Sequence, residues 1–516
     1  EERFVAIADV PGAYLHAEMP KGKLVLLKLV GQFVDIMCDV NPEYKKYVRY
    51  ERGIKVLYLC VLRAIYGCLE SALLWYNLYS STLVKMGFKL NPYDLCVANK
   101  MINGSQCTIG FYVDDNKISH KDPVVVKKVI SDIEKHFGKM SVDDGKNFNF
   151  LGMNITITHD KKIEIEMKDQ IQESITWFGE PITKKPATPA NKNLFVISAN
   201  SPELGHEKSD IFHLVVQKLL YITKRARPDI EKAISFLCTR VSKSTQEDWA
   251  KLRRVLAFLQ HTIDDIRVIG AHSLQDIYTW IDSAYGVHNV DLRSHTGGLM
   301  SMGTGTIHTR STKQKLNVKS STEAELVGTS EYMPYNVWIR NFFGAQGYDI
   351  QDNILFQDNQ SAIKMEVNGR RSCTGNSRHI NIRHFFVKDM VDKKLVKVLY
   401  CPTDKMLADF FTKPLQGSLF RFFRDIIMGY TSITDILDDH PKIKERVENW
   451  KKYKHEMFSH IEDNTSTPKK VSFAKAGVSN DVVVHTPQSK NKYVHSQYEN
   501  VESIQPIYAQ VVKQKT

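Results

Sequence analysis

The most constraining feature of the sequence is a tight turn followed by an apolar run that ends on two adjacent carboxylates. Asn103-Gly104 is a strong hairpin-turn signal, and the run Cys107–Val113 after it predicts a strand. We therefore expect two strands to fold back on each other and to present Asp114 and Asp115 at or near the following turn. Adjacent carboxylates repel each other, so a structured tip that carries both favours a bound cation. A solvated turn explains the pair equally well, because Asp is an ordinary turn residue.

Composition limits the classes of protein to which the chain can belong. Its 516 residues, 42% hydrophobic and 25% charged, suit a globular protein of two or three domains. The net charge of +12 favours a polyanionic partner, although the excess is spread along the chain. The eight cysteines include no CxxC pair, which argues against a zinc site or a disulfide framework. Arg63 interrupts the longest apolar run and no signal peptide is evident, so no membrane association is expected.

The first part of the chain predicts an α+β layout in which helices cover one face of an antiparallel sheet. The chain opens at Glu1 in strand-like sequence, so we expect a fragment of a longer protein. The predicted elements are a strand at Phe4–Asp9, a loop or insertion at Asp39–Gly53, a helix at Leu69–Phe88 with an apolar stripe of Leu69, Leu73, Tyr76, Leu83 and Met86, a helix that Asp122 and Pro123 begin and Gly138 ends, and a hairpin of Phe148–Thr158 and Lys162–Met167.

The middle of the chain predicts a linker and then a small helical module. Residues 181–202 are rich in Pro, Lys, Asn and Ser, which is typical of a linker. Asp210–His261 is strongly helical with a break at Pro228. The basic residues Lys251, Arg253 and Arg254 could contact phosphates, but their pattern favours a solvated helix face.

The second half predicts a mixed sheet flanked by helices, because strand and helix patterns alternate there. The predicted strands are Ile277–Asp282, Gly297–Met302, Gly305–Thr309, Ile354–Phe356 and Leu395–Tyr400, and the predicted helices are a long one capped by Ser321, one beginning at Ser361, His379–Asp392 and Lys405–Thr412. After Asp463 the composition becomes polar and predicts a disordered tail.

Acidic residues recur where predicted strands end, and they form two sets. The first set is Asp9 with Asp114 and Asp115, and the second is Asp282, Glu325, Asp358 and Asp409. Phosphoryl chemistry on nucleic acid uses two divalent ions about 3.5–4 Å apart, which prefer carboxylate oxygen. Glu323 and Glu325 compete for one place, since residues two apart on a helix point about 200° apart. Each acid by itself is more often a surface charge.

These residues match a known family in order along the chain. The first half resembles the reverse transcriptase of copia-type long-terminal-repeat retrotransposons. The segments that carry this resemblance are Ile7–Val10 with Gly12–Leu15, Ile65–Gly67 with Leu74–Tyr76, Tyr112–Asp115, Phe150–Met153, which is similar to the primer-grip region, and Leu220-Tyr221 with Arg227–Ile230.

The second half resembles the ribonuclease H domain of the same polyproteins. Its matching segments are Asp282, Ser320–Leu326, Asp358–Ala362, Arg378–Ile380 with Arg383–Phe385, and Ala408-Asp409 with Thr412–Leu415. Each short motif is weak, but their common order over most of residues 3–430 is highly specific.

The resemblance implies a role for each acid. Asp9, Asp114 and Asp115 would hold two Mg²⁺ ions at a polymerase site, with Mn²⁺ as an alternative ion. Asp282, Glu325 (rather than Glu323), Asp358 and Asp409 would hold two more at a nuclease site.

Other residues gain roles from the same resemblance. Tyr14 would crowd the sugar 2′ position of a bound nucleotide, and Tyr112 and Val113 would pack near the primer end. His379, Arg383 and His384 would contact nucleic acid or serve as structural residues.

The family also implies a domain layout. The expected parts are a reverse-transcriptase palm with truncated fingers (1–180), a linker (181–205), a helical thumb or connection-like module (206–270), an α/β ribonuclease H-like domain (271–430), a helical extension (431–463) and a disordered tail (464–516). Pro11 and Glu70 depart from the usual family residues.

Two functions remain open at this stage. One is an RNA-directed DNA polymerase with ribonuclease H activity, acting on an RNA template, a DNA primer, deoxynucleoside triphosphates and RNA–DNA hybrids by two-metal-ion phosphoryl transfer. Such an enzyme would be intracellular, in cytoplasmic virus-like particles and in the nucleus. The other is a degenerate or repurposed retroelement fragment that binds nucleic acid without polymerase activity. The presence of all seven acids favours the enzyme.

Overall fold

A computed structural model describes residues 3–372 and 385–433. These residues divide into two compact units, one of residues 17–74 and one that combines residues 3–16 with the described residues from Trp75 onward. The expected extension beyond residue 433, the tail, and the candidate contacts His379, Arg383 and His384 lie outside the described residues.

The strands and helices are numbered in chain order. The strands are β1 (Phe4–Asp9), β2 (Leu26–Val30), β3 (Arg49–Glu51), β4 (Ile54–Cys60), β5 (Lys89–Asn91), β6 (Asp94–Ile102), β7 (Ser105–Tyr112), β8 (Asp115–His120), β9 (Ser141–Asp144), β10 (Asn147–Phe150), β11 (Met153–Ile157), β12 (Ile163–Glu166), β13 (Arg267–Ala271), β14 (Asp276–Ala284), β15 (His295–Ser301), β16 (Gly303–Thr304), β17 (His308–Lys313), β18 (Asp352–Gln357) and β19 (Lys397–Tyr400). The helices are α1 (Gln32–Val40), α2 (Ser71–Lys85), α3 (Pro123–Phe137), α4 (Lys168–Phe178), α5 (His206–Arg225), α6 (Glu231–Cys238), α7 (Gln246–His261), α8 (Ser321–Ala345), α9 (Gln360–Asn368), α10 (Phe386–Asp392), α11 (Asp409–Thr412) and α12 (Gly417–Met428).

The predicted hairpin and the antiparallel sheet around it are confirmed. The strand order is β5-β6-β7-β8-β1-β9, and every neighbouring pair is antiparallel. Asn103 and Gly104 both have positive φ, 50° and 72°, as a tight turn between β6 and β7 requires. Strand β1 has the predicted bounds, Phe4–Asp9.

The two helices beside this sheet were predicted, one of them with the wrong buried face. Helix α3 begins as expected, with the Asp122 side chain accepting a hydrogen bond from the Val124 N–H and Pro123 in the first turn. In α2 the predicted stripe is wrong at its start, since Leu69 and Leu73 are exposed. Leu83 is buried as predicted, and the residues buried with it are Trp75 and Tyr79. Spacings of four place these three on one side of the helix.

The unit of residues 17–74 has its own small core. Strands β2, β4 and β3 form an antiparallel sheet, and α1 packs on it through Val34 and Cys38 against Leu57. Of the two alternatives for Asp39–Gly53, a loop or an insertion, the loop is wrong, because the end of α1, a 3₁₀ helix at Pro42–Tyr47 and β3 lie there. The Asn41 side chain starts that 3₁₀ helix by accepting a hydrogen bond from the Glu43 N–H.

A further sheet links distant parts of the chain. Its order is β10-β11-β12-β13-β16, so the hairpin near residue 160 pairs with strands more than a hundred residues later. The predicted single strand at Phe148–Thr158 is two strands, because the chain turns at Leu151-Gly152, where both residues have positive φ.

The segment of residues 181–205 contains no helix and almost no β-pairing, as expected of a linker. It is nevertheless packed against the rest of the protein. Ala190, Leu194 and Phe195 are buried in the same core as the helical module α5–α7. A 3₁₀ turn at Pro228–Ile230 provides the predicted break between α5 and α6.

The three basic residues of α7 make protein contacts. Arg253 pairs with Glu180, Lys251 donates a hydrogen bond to the Val196 carbonyl oxygen, and Arg254 donates to Thr188.

The second predicted sheet is mixed, as expected. Its order is β17-β15-β14-β18-β19, with antiparallel pairing up to β14 and parallel pairing from β14 to β19. One face carries Ile281 and Leu355 and packs on α8 and α10. Trp280 and Phe356 belong to the core that the helical module also enters.

Several boundaries in this half differ from the prediction. Ser320, not Ser321, caps α8, its side chain accepting from the Glu323 N–H. The strand expected at Gly305–Thr309 is β17, His308–Lys313. The expected helix at Lys405–Thr412 is a 3₁₀ turn at Thr403–Lys405 followed by the four-residue α11, and α12 was not predicted.

Within the described ranges, every helix is too short or too polar to cross a lipid bilayer.

Candidate functional site

In the first set of acids, Asp9 and Asp115 lie directly opposite each other on neighbouring strands. Val113 and Asp114 form the two-residue turn between β7 and β8, since Tyr112 and Asp115 are cross-strand partners. Asp115 is also the cross-strand partner of Asp9 on β1. Opposite residues in antiparallel strands point to the same face, so the Asp9 and Asp115 side chains share a face while Asp114 lies at the tip.

This turn is strained, and its strain is offset by buried hydrogen bonds. Val113 has a φ of +55°, which is unusual for a β-branched residue. Its carbonyl oxygen accepts a 2.7 Å hydrogen bond from the indole Nε1 of Trp75, which is itself buried. The Asp114 carbonyl oxygen accepts from the Val10 N–H at 3.0 Å and from the Asn116 side-chain amide at 2.9 Å. The direction of both carboxylates therefore depends on the packing of α2.

Two tyrosines border this tip. Tyr14 lies on a 3₁₀ turn at Ala13–His16 and is buried. Burial and the charge of Asp114 raise its pKa. Burial also raises the pKa of Tyr112, and the Tyr221 and Tyr14 hydroxyls add to that effect.

Tyr221 of the helical module connects α5 to the nearby β10–β11 turn. Its hydroxyl donates a 2.7 Å hydrogen bond to the Leu151 carbonyl oxygen.

The second set of acids converges from different elements. Trp280 and Phe356 are partners in the parallel pair β14–β18. Asp282 and Asp358, each two residues further on, therefore lie beside each other near the carboxyl ends of these two strands. Asp282 lies within β14 rather than at its end, which corrects the expected strand boundary. Carboxylate oxygens of Asp282, Glu325 and Asp358 all lie within 4.8 Å of one another.

Helix α8 supplies Glu325 and excludes Glu323. Glu325 is 4% exposed, whereas Glu323 is only partly buried and accepts a hydrogen bond from the Lys319 N–H at 2.7 Å. The helix can approach β14 closely because Gly328 has no side chain: a Cβ there would lie 2.1 Å from Ser283 Oγ. Gln357 supports Glu325 with a long 3.4 Å hydrogen bond from its side-chain amide.

The three clustered acids destabilise one another's charges. Burial raises the pKa of Glu325 well above its usual range, and the charges of Asp282 and Asp358 raise it further. Burial and Asp282 raise the pKa of Asp358 as well. An all-oxygen, mutually repelling donor set of this kind fits a hard divalent cation such as Mg²⁺ or Mn²⁺.

Asp409 joins the same edge through α11. Burial and the charge of Asp282 raise its pKa to about 7, while Lys413 opposes that shift. The Lys413 Nζ lies 2.6 Å from Asp409 Oδ1 and 4.0 Å from Asp282 Oδ1. The Thr412 hydroxyl donates a hydrogen bond to Asp282 Oδ2. Asp409 is thus joined to Asp282 by the two residues at the end of its own short helix.

The two sets differ in how closely they are assembled. Of the side chains that the structure describes, only Asp282, Glu325 and Asp358 form a group of three Asp, Glu, His or Cys residues with ligand atoms this close. Asp9 and Asp115 are cross-strand partners and Asp114 precedes Asp115, but the ligand atoms of these three residues do not lie close enough to form such a group.

Sequence reasoning gave no role to several supporting residues. Lys413 stands four residues after Asp409, a spacing typical of helical ion pairs, and this signal was available in the sequence. Two others, Gln357 and Trp75, act through contacts with residues far away in the sequence, and no local pattern indicates such contacts.

Comparison with known proteins finds a family match in the first part of the chain. The model of the family described as "Reverse transcriptase (RNA-dependent DNA polymerase)" matches residues 1–191. Those residues are therefore similar to the reverse transcriptase family. They include the Asp9–Asp115 pair and Tyr14.

About three quarters of the chain is similar to Pol polyproteins of copia-type retrotransposons, which confirms the resemblance to such polyproteins. It is 26% identical over 397 residues to the retrovirus-related Pol polyprotein from transposon TNT 1-94 of Nicotiana tabacum, covering 75% of this chain and 29% of that protein. It is 26% identical over 385 residues to the Pol polyprotein from transposon RE1 of Arabidopsis thaliana, covering 73% and 25%.

A yeast relative gives the same result. The transposon Ty1-ER2 Gag-Pol polyprotein of Saccharomyces cerevisiae is 24% identical over 379 residues, covering 70% of this chain and 21% of that protein. The chain therefore spans less than a third of the length of the curated polyproteins that it matches.

Proposed function

We propose that the chain is an RNA-directed DNA polymerase that also cleaves the RNA strand of RNA–DNA hybrids. The observation that carries the nuclease half is the convergence of Asp282, Glu325 and Asp358, from two strand regions and a helix, to within 4.8 Å at a buried edge. The reverse transcriptase match over residues 1–191 supports the polymerase half.

At the nuclease centre, Asp282, Glu325, Asp358 and Asp409 would hold two Mg²⁺ ions, with Mn²⁺ as an alternative. When bound, such a pair supplies an activated water and stabilises the leaving oxygen of the cleaved phosphodiester. The protein's own contribution is orientation: Thr412 fixes one oxygen of Asp282, Gln357 supports Glu325, and Lys413 places positive charge between Asp409 and Asp282.

At the polymerase centre, Asp9, Asp114 and Asp115 would hold the ions that activate the primer 3′ hydroxyl and bind the triphosphate. Tyr14 would crowd the 2′ position and reject ribonucleotides, and Tyr112 with Val113 would border the primer end. The partners are then an RNA template, a DNA primer and deoxynucleoside triphosphates.

The proposed domains have the boundaries predicted from the sequence: a reverse-transcriptase palm over 1–180, a linker over 181–205, a thumb or connection-like module over 206–270 and a ribonuclease H-like domain over 271–430. The antiparallel sheet with Asp9 and Asp115 and the mixed sheet with Asp282 and Asp358 support the two catalytic parts.

Two assays on the full chain with Mg²⁺ separate the two activities. Primer extension on an RNA template should be lost in Asp115→Asn and kept in Asp144→Asn, which changes an exposed acid of the same sheet. Cleavage of a labelled hybrid should be lost in Glu325→Gln and kept in Asp115→Asn. An absence of both activities in the wild-type chain contradicts the proposal.

The same experiment tests the alternative of a fragment that only binds nucleic acid. Such a protein would bind hybrids with an affinity that falls steeply with salt and that neither Asp115→Asn nor Glu325→Gln changes.

A further inference from the structure

Two adjacent charged residues at the start of α6 are buried and belong to neither acidic set. Glu231 is 1% exposed and Lys232 is 7% exposed. Glu and Lys are rarely buried unless they are paired, because removing a charge from water is unfavourable. Their partners therefore indicate what this part of the helical module does.

Glu231 binds the edge strand of the mixed sheet. Its carboxylate accepts hydrogen bonds from the Ser311 N–H at 3.0 Å and from the hydroxyl of Thr309, both on β17, and it pairs with Lys224. The Ser311 hydroxyl in turn donates a 2.7 Å hydrogen bond to the Phe411 carbonyl oxygen on α11. Helix α6 is thus connected through β17 to the helix that carries Asp409.

Lys232 reaches the end of that helix directly. Its ammonium donates a hydrogen bond to the carbonyl oxygen of Lys413 and lies 5.8 Å from the centre of the Phe410 ring. Lys413 is the residue whose own ammonium lies between Asp409 and Asp282. Lys232 therefore holds the backbone of the residue that connects two of the four acids.

Helix α11 depends on such outside contacts. It has four residues, Asp409–Thr412, whereas an isolated helix shorter than about 12 residues is marginal in water. The position of α11 on the sheet must therefore be set by tertiary contacts. Ser311 and Lys232 supply two of them, to the carbonyl oxygens of Phe411 and of Lys413, the residue that follows the helix.

We propose that Lys232 is a positioning residue for the nuclease centre, holding the backbone of Lys413 so that the Lys413 ammonium lies between Asp409 and Asp282. The inference rests on the proposed hybrid-cleaving activity. It means that the helical module is an integral part of that centre, so a domain cut at residue 271 lacks one of its supports.

The test is a double-mutant cycle on the full chain with Lys232→Met and Lys413→Met. Lys232→Met keeps the side-chain length but removes the charge and the donor. If Lys232 acts through Lys413, Lys232→Met should lower the single-turnover cleavage rate about tenfold in the wild-type background and less than twofold in the Lys413→Met background, because coupled residues are not additive. A reduction by the same factor in both backgrounds overturns the proposal.

Lys251→Met is the matched control. Lys251 also donates to a backbone carbonyl, at Val196, and also lies near a phenylalanine ring, 4.8 Å from the centre of Phe236, but it belongs to the packing of the linker. Its loss should leave the cleavage rate and the Mg²⁺ dependence of cleavage unchanged. Primer extension should be unchanged in all of these variants.

Mn²⁺ binding, measured by electron paramagnetic resonance, gives a readout that does not need turnover. Lys232→Met should weaken Mn²⁺ binding severalfold, and unchanged binding contradicts the proposal. If the wild-type chain binds Mn²⁺ but cuts no hybrid, the proposed function fails while this readout still tests Lys232. If Lys232→Met does not fold, Lys232→Gln, which retains a donor of shorter reach, replaces it in the cycle.

Discussion

Asp282 and Gly297 are cross-strand partners on β14 and β15, and the missing side chain of Gly297 is what allows α11 to lie against that position. A Cβ at Gly297 would lie 2.8 Å from the Ala408 carbonyl oxygen, from Phe411 Cβ and from Thr412 Cγ2. The approach of Asp409 to Asp282 thus depends on one glycine in the neighbouring strand.

Gly297→Ala should therefore displace α11 and impair the nuclease centre. We expect a loss of about 1–3 kcal/mol in the free energy of unfolding, from overpacking, together with at least a tenfold lower rate of hybrid cleavage. Urea unfolding and a cleavage assay measure the two effects. Gly110→Ala is the control, since a Cβ at Gly110 on β7 would meet nothing within 4 Å. Equal cleavage rates for the two variants would show that α11 does not need this contact.

Trp75→Phe should weaken primer extension and spare hybrid cleavage. The substitution keeps an aromatic ring but removes the Nε1 donor to the Val113 carbonyl oxygen, which stabilises a β-branched residue at positive φ. The lost hydrogen bond is worth about 0.5–1.5 kcal/mol, and the Asp114-Asp115 tip should become less ordered. Steady-state primer extension measures the effect. Trp177→Phe, at a partly exposed tryptophan of α4, should leave extension unchanged, and an equal effect of both substitutions would count against this reading.

The pH dependence of stability should report the buried ion pairs of Asp229. Burial by itself would raise the pKa of Asp229, but the charges and hydrogen bonds of Arg227 and Arg424 hold it at about 2, below its ordinary 3.8. A carboxylate whose pKa is lower in the folded than in the unfolded state stabilises the fold at pH values above the unfolded-state pKa. This stabilisation is lost as the pH falls through the folded-state pKa. Stability should therefore drop by about 2 kcal/mol between about pH 4 and pH 2.

Asp229→Asn should remove this acid transition and destabilise the fold by about 3–5 kcal/mol, because Arg227 would stay buried without its charge partner. Urea unfolding at a series of pH values measures both effects. Asp264→Asn is the control, as Asp264 is an exposed acid paired with Lys168 and should change stability by less than about 1 kcal/mol. An unchanged acid transition in Asp229→Asn would assign that transition to other groups.

The clustered acids should make the metal-free fold less stable than it could be. Glu325→Gln replaces a buried carboxyl whose ionisation is opposed by burial and by the charges of Asp282 and Asp358, so we expect a melting temperature about 2–4 °C higher without metal. Mg²⁺ should raise the melting temperature of the wild type, because an ion that binds only the folded state stabilises it, and should have a much smaller effect on Glu325→Gln. Differential scanning calorimetry with and without Mg²⁺ measures both effects. Glu323→Gln should keep the full Mg²⁺ effect.

Local signals in the sequence predicted much of the fold. The Asn103-Gly104 turn, the Asp122 and Pro123 helix start and the limits of β1 depend on short-range rules of turns, caps and alternation, and all three are confirmed. The buried face of α2 was partly wrong because its core is set by Trp75, Tyr79 and their aromatic neighbours on other elements.

The candidate site likewise combines features that local sequence predicts with features that long-range contacts determine. That Asp282 and Asp358 come near the ends of strands could be predicted from the sequence, but their meeting depends on the parallel register of β14 with β18, which joins residues more than seventy positions apart. The roles of Gly297, Gln357 and Lys232 could not be predicted at all, because each acts only through a contact with a distant segment.

The most direct test of the account is the single-turnover rate at which the full chain cuts the RNA strand of a labelled RNA–DNA hybrid with Mg²⁺. We compare the wild type with Glu325→Gln and Glu323→Gln, two equivalent changes two residues apart on α8. The account predicts Mg²⁺-dependent cleavage that falls at least a hundredfold in Glu325→Gln and stays within threefold of wild type in Glu323→Gln. Absence of cleavage by the wild type, or equal rates for wild type and Glu325→Gln, would contradict it.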